Sequence, residues 1–325
     1  MAEYSPCGGP RPASGLTRGL RAWTGLAILT VALSGAAPCQ EVEYYSPPSQ
    51  KHIGARSTAL GDATSSDQFD VGSMYLNPAT LSFLANGDVM ADHRYEYNNK
   101  VFQENIAARV YDGRAQAIGL GVGIVQCGTL TNHTPFRFSE FDVDAGYSLR
   151  ILSFTPDVSL GVLGNFRFSS VESHSVSAAQ FSIGLLYSPS AGTSYSVVYR
   201  GIGHSVLYTV APDAPASTTL NQQDDVPRSL EIGSTMRFPA ESREPFINLS
   251  VAGERDYVTK TLRVKGGIEA VIMSQFCLRL GYVNAEVREL RYGAGFSIGI
   301  LTIDYAAMPW ERAGKFNEVT LKIAM

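Results

Sequence analysis

The stretch DVSLGVLGNFRFSS, residues 157–170, places Val158, Leu160, Val162, Phe166 and Phe168 on one side of an extended chain. Ser159, Gly161, Asn165, Arg167 and Ser169 fall on the other side. A period of two over so many residues describes a strand with one apolar and one polar face. The same alternation recurs along the chain. Ile118, Leu120, Val122 and Ile124 oppose Gly119, Gly121 and Gly123, and Phe141, Val143, Tyr147 and Leu149 oppose Asp142, Asp144 and Arg150. Tyr195, Val197 and Tyr199 oppose Ser194, Ser196 and Arg200; Leu230, Ile232 and Phe238 oppose Glu231, Gly233 and Arg237. Leu262, Val264 and Ile268 oppose Lys265 and Glu269, and Leu278, Leu280 and Tyr282 oppose Arg279 and Gly281. With the shorter runs this makes roughly fourteen strands, many of about ten residues, the length a tilted strand needs to cross a bilayer.

The competing architecture is a soluble β-sandwich, whose polar face meets water and carries Lys, Glu and Asp. Here that face is rich in Gly, Ser, Ala and Arg, as a confined lumen is, and Tyr and Phe recur near the ends of the runs as in an interfacial girdle. The expected fold is therefore all-β, a transmembrane antiparallel barrel. Asp142, Asp144, Arg150, Arg167, Arg200, Arg237, Glu269 and Arg279 are expected to face its lumen. On this reading an arginine at Leu120 or Val162 meets lipid, whereas a serine at Gly121 meets the lumen and is tolerated.

Composition agrees. The chain has 325 residues, 45% of them apolar and only 17% charged, against about a quarter in ordinary soluble proteins. Low charge with 10% aromatic residues excludes a disordered chain. Beyond residue 35 no window approaches the ~20 continuous apolar residues of a membrane helix. A net charge of −4 gives no basic surface for nucleic acid.

Residues 1–39 read as an export signal. Arg11, Arg18 and Arg21 precede an apolar stretch from Trp23 to Leu33, followed by Ser34, Gly35, Ala36 and Ala37. Cys7 and Cys39 belong to this region, leaving Cys127 and Cys277, too few for a disulfide framework. Lipidation of Cys39 is disfavoured by Pro38, where such sites carry a small residue.

Little in the chain looks like reaction chemistry. His52, His93, His133, His174 and His204 are scattered without ligand spacing, so no metal and no cofactor is expected. Gly119, Gly121 and Gly123 lack the following helix of a dinucleotide site, and no nucleophile elbow or phosphate loop occurs. Asp142 and Asp144 share one strand face, and a lumen lining accounts for them more simply than catalysis. No enzyme activity is expected.

Two regions break the alternation. Residues 202–227, with Pro212, Pro215 and Pro227, read as a long outer loop. Residues 40–86 show helical character near 55–63 and after Pro78. Within them stand Gly54, Ala55 and Arg56, then Leu60 and Gly61, then Asn77, Pro78 and Ala79. Together these resemble the N-terminal signature of the PorV/PorQ family of outer-membrane proteins, which is related to the FadL-type long-chain fatty-acid transporters. The FadL-type plug also carries Asn-Pro-Ala. The far end of the chain is similar to the same family: Gly293 to Phe296, the run LTIDYA at 301–306, Pro309, Gly314 and a final strand. It closes on Met325, where such barrels commonly close on an aromatic.

The resemblance implies an N-terminal plug over 40–86 and a barrel over 87–325. It implies a monomer in the bacterial outer membrane, surrounded by its lipid, that passes hydrophobic small molecules or serves as an accessory of type IX protein secretion. The alternative is a non-transporting adaptor barrel that binds a protein partner through its outer loops. Gly54, Gly61 and Gly72 are expected to pack closely against the wall, and Asn77 with Pro78 to end the plug before the first strand.

Overall fold

A computed structural model describes residues 53–84, 88–96, 101–113, 115–131, 135–151, 157–171, 174–203, 206–210, 223–224, 226–240, 246–273, 275–284, 288–310 and 314–324. The first strands are β1 (Asp88–Glu96), β2 (Val101–Asp112), β3 (Gln116–Thr131), β4 (Pro135–Arg150), β5 (Val158–Val171) and β6 (His174–Ser190). There follow β7 (Thr193–Gly203), β8 (Val206–Val210), β9 (Gln223–Asp224), β10 (Ser229–Phe238) and β11 (Ile247–Asp256). The last are β12 (Leu262–Ile272), β13 (Phe276–Asn284), β14 (Arg288–Ile298), β15 (Leu301–Trp310) and β16 (Gly314–Ala324).

Sixteen strands share one sheet, and two of them, β8 and β9, only extend the far end of β6. The remaining fourteen close on themselves: β1 pairs with β16 from Asp88↔Ala324 to Tyr95↔Asn317, and β5 pairs with β6 from Val158↔Tyr187 to Val171↔His174. The result is a closed, antiparallel, transmembrane β-barrel. Because β1 begins where β16 ends, the start of the first strand and the end of the last share one rim. The barrel is uneven in height. Strands β3 to β6 run 14–17 residues, whereas the other ten staves run 9–12.

Alternation assigns the two faces. On β3 and β5, Leu120 (45% exposed) and Val162 (42%) point outward, while Asp142 and Asp144 on β4 are closed off inside. An outer face of bare Leu, Val, Ile, Phe and Tyr is unstable in water and suited to lipid. At Leu163 and Gly164 the register runs on unbroken but the residue types trade faces, so that a leucine lies inward.

Residues 53–84 lie inside and are nearly all buried; Phe69, 44% exposed, projects from them. They form α1 (Ala55–Ala59), α2 (Ser73–Leu76) and a 3-10 helix (Pro78–Phe83). The helix expected over 55–63 stops at Ala59 because Gly61 (φ 68°) and Asp62 (φ 54°) turn left-handed. Asn77 does not release the chain toward β1: its side-chain oxygen accepts from the Ala79 N–H (3.0 Å) and caps the 3-10 helix. Of the stretch 202–227, expected as an irregular loop, the described parts include the end of β7 and the short strands β8 and β9. Residues 1–39, expected as an export signal, with Cys39, residues 40–52 and 85–87, most of 202–227 and Met325 lie outside the described residues.

Candidate functional site

The polar face that reads as a lumen lining is chiefly a seat for residues 53–84. A fourteen-stranded barrel encloses more space than its own side chains fill, and here the N-terminal segment fills it. The inward glycines make its close approach possible. A side-chain carbon on Gly161 would overlap the backbone of Pro78 and Ala79, and one on Gly184 would overlap the Asn77 amide. At Gly281 it would overlap Gly61, Ala59 and Leu60, and at Gly121 the Tyr75 hydroxyl. Gly121 is thus a contact point, and the tolerance expected of a serine there gives way to overlap with Tyr75.

Asn77 completes its bonding by donating to the carbonyls of Ser65 (2.9 Å) and Leu185 on β6 (3.3 Å). The carbonyl of Ala79 accepts from Ser148 on β4 (3.1 Å). Gly54, with φ 111°, donates to Glu318 (3.2 Å), and Ala55 donates to Thr320 (2.7 Å), both on β16. These are the contacts of the motif residues, reached from 264 and 265 positions away in the case of β16.

On the side of β10 to β16 the seat is ionic. Arg56 forks onto both oxygens of Glu269 (3.0 and 2.8 Å) and pairs with Asp67 (2.6 Å). Asp67 also takes Arg237 (2.6 Å). Glu269 in turn accepts from Arg279 (2.6 Å), which reaches Asp304 (2.6 Å); Lys322 joins Asp304 (3.3 Å) to Asp70 (3.1 Å). Arg56 and Lys322 both lie on the Phe69 ring, 3.8 and 3.9 Å from its centroid. Arg291 pairs with Asp62. Burial by itself would raise the Asp67 carboxyl, but Arg56 and then Arg237 hold it below its ordinary value. A second cluster, Glu231 and Glu254 around Lys265 (2.8 Å each), includes Arg200 (3.2 Å from Glu231), which also donates to the Leu76 carbonyl (2.5 Å).

On the side of β1 to β5 the seat is apolar. Met74, Tyr75, Leu81 and Leu84 of the segment pack with Met90, Ala107, Ala117 and Leu163 of the wall. Gly119 and Gly146 leave space beside Met74 and Leu81. Arg109 holds the Leu84 carbonyl (2.9 Å) and Arg150 the Ser82 carbonyl (2.8 Å), with Arg150 stacked on Phe83. Tyr75 ends this region: its hydroxyl occupies the space that Gly121 leaves open. Burial first, then the Asp144 and Asp142 carboxylates, raise the Tyr75 hydroxyl well above its usual value, so it stays a donor. Asn165 donates to Asp144 (2.5 Å), and Arg167 pairs with Glu140 (3.1 Å). Asp142 is buried on the same face.

The eight polar wall positions named from the sequence all lie buried or half-buried on the inner face. Sequence reasoning missed the segment side of the site: Asp62, Asp67, Asp70 and Tyr75. The stretch 62–70 carries three aspartates against inward arginines and a lysine, a signal visible only once the partners are known to face inward. Among the described residues no group of three or more His, Cys, Asp or Glu side chains is gathered to hold a metal ion.

Fold and site together define a class: a closed, fourteen-stranded membrane barrel whose N-terminal segment is folded into its own lumen. Solved structures of similar fold include the toluene transporter TbuX of Ralstonia pickettii (TM-score 0.55, 15% identity, covering 84% of this chain and 97% of that one). The Pseudomonas putida toluene transporter TodX (0.56, 14%, 89% and 99%) and a Pseudomonas aeruginosa FadL homologue (0.57, 11%, 85% and 98%) are similar as well. At these identities the likeness is one of fold. No protein-family model matches the chain, and no curated protein matches its sequence.

Proposed function

We propose that the mature chain is an outer-membrane barrel that passes small hydrophobic molecules, with residues 40–86 acting as its plug and residues 1–39 as its export signal. The observation that carries this reading is the fold shared, over nearly the whole length of each neighbour, with proteins described as toluene transporters and a FadL homologue. The physical support is that a barrel of this width must be filled or leak, and this one is filled by a short segment rather than by a domain. Expression in an outer-membrane-permeability assay tests it. Cells carrying the protein should take up toluene faster than cells without it, and equal rates would overturn the transport reading.

The second reading, an adaptor barrel of the PorV/PorQ type that serves type IX secretion, gains support from a specific feature. The segment is tied by ion pairs to β10, β12, β14 and β16, more than a frequently opened gate needs. Co-purification of secretion components with a barrel that leaves toluene uptake unchanged would favour it.

A further inference from the structure

On β10 and β11 the carboxylates of Glu231, Glu254 and Asp256 are closed off inside the barrel. The cations beside them lie on the other side of the wall. Arg255 stands between Glu254 and Asp256 and is exposed on the outer face; Arg228, just before β10, and Lys260, in the turn from β11 to β12, are exposed as well. Register sets the two arginines diagonally across one strand pair: Leu230 pairs with Arg255, and the Tyr257 N–H donates to the Arg228 carbonyl (2.8 Å). The longest connection between staves, from β7 to β10, leaves the same rim, which is therefore the outer one. Toward that rim on β2 to β4 the described outward polar side chains are Glu104, Gln126 and Ser139, acidic or neutral.

Beneath these cations the outer face is hollow. Gly253 takes the next outward position of β11 after Arg255, and Gly266 of β12 pairs with Val251. A side-chain carbon on either glycine would meet nothing within 4 Å. Gly164, outward on β5, shows the contrast, because the rings of Phe166 and Phe181 close over it. Gly253 and Gly266 are left bare between Ile232 on one side and Tyr282 on the other. A shallow apolar dip running down from a group of cations matches a molecule with an anionic head and a hydrocarbon chain. Arginine takes phosphate oxygens with paired N–H donors, and small residues let a neighbour in the membrane come close.

We propose that this strip of β10 to β12 binds one phosphate-bearing lipid of the outer leaflet, its phosphate on Arg228, Arg255 and Lys260 and an acyl chain over Gly253 and Gly266. The inference rests on the reading of the chain as an outer-membrane barrel and is independent of what passes through the lumen.

The test uses the full chain folded in a non-ionic detergent and three probes. Dipalmitoyl phosphatidic acid has phosphate and chains, dipalmitoylglycerol has the chains alone, and inorganic phosphate has neither chain. Native mass spectrometry should count one phosphatidic acid per barrel, retained at about tenfold lower concentration than the diacylglycerol, as hydrogen bonds to a charged group imply. Excess inorganic phosphate should not displace it. Arg255→Gln combined with Lys260→Gln should erase the preference. Gly253→Leu, which fills the dip and leaves every cation in place, should weaken retention of both lipids. Should either variant fail to fold, the three probes on the unaltered chain decide. Equal retention of the two lipids, displacement by inorganic phosphate, a preference that survives the double substitution, or retention untouched by Gly253→Leu would overturn the proposal. A chain that stays folded in solution without detergent overturns the barrel reading itself. Toluene uptake by cells without lipid retention in detergent overturns the lipid site and leaves the transport reading standing. Lipid retention by a protein that does not speed uptake supports the site and overturns transport.

Discussion

Along β1 to β5 the N-terminal segment packs on methionine, leucine, alanine and bare glycine, with arginines on its backbone carbonyls and on Thr58; along β10 to β16 the same segment meets arginine, lysine and carboxylates as ion pairs. The two walls hold it by different physics. Apolar contact has no direction and yields by degrees, whereas a buried ion pair is either made or leaves a charge stranded. A further difference lies in what each wall does without the segment. The ionic wall is largely paired within itself: Arg279 with Glu269 and Asp304, Lys265 with Glu231 and Glu254. The apolar wall would expose Met90 and Leu163 and would leave Arg109 and Arg150 without the segment carbonyls they hold. Neither wall depends on the segment for its strand pairing.

The largest expected effect follows from that independence. Deleting residues 41–76 should leave a barrel that still shifts on unheated gels yet conducts far more in planar bilayers than the intact chain. A deletion that folds but conducts like the intact chain would place these residues off the path, and one that fails to fold would make them part of the core. Next comes Glu269→Ala, which leaves two buried arginines with one carboxylate each, Arg56 with Asp67 and Arg279 with Asp304, and should cost about 3–5 kcal/mol in detergent unfolding, with raised conductance. Leu81→Ala on the other wall should cost about 2–4 kcal/mol and leave ion conductance low, because it breaks no charged tie. Equal conductance changes in these two variants would erase the distinction between the walls.

The smallest effect is a response to acid. Asp67 is held below its ordinary value in the folded barrel, so its contribution is present above the unfolded value, about pH 4, and fades as pH falls through the lower folded value. Hydrogen exchange around 62–70 should therefore quicken in strong acid before exchange at 71–84 does. The reverse order would mean that the apolar wall gives way first.

Much of the barrel is legible in the residues because lipid outside and a closed interior impose opposite demands on neighbouring positions, and strand geometry writes that demand at period two. Leu120 against Gly121 and Val143 against Asp144 are read without a structure. The seat is harder. Gly121, Gly161 and Gly281 look like the cheap lining of a watery channel, since sequence shows the missing side chain and not the Tyr75 hydroxyl or the Pro78 and Gly61 backbones that use the space. The pairs Arg56–Glu269 and Lys322–Asp70 span 213 and 252 positions, so only the closure of the sheet brings them together. Asn77 and Pro78 read as an exit turn because their local chemistry is that of a turn, and the turn lies inside the barrel as a helix cap.

Those long spans also set an order of events in assembly. The segment is made before any of the strands, while Glu318, Thr320 and Lys322, which hold Gly54, Ala55 and Asp70, come in the last strand. Closing so long a loop is entropically costly until the intervening strands have paired. The segment is therefore synthesised early and seated late, and Met74, Leu76 and Leu81, fully buried in the finished barrel, stay uncovered until the strands have closed around them.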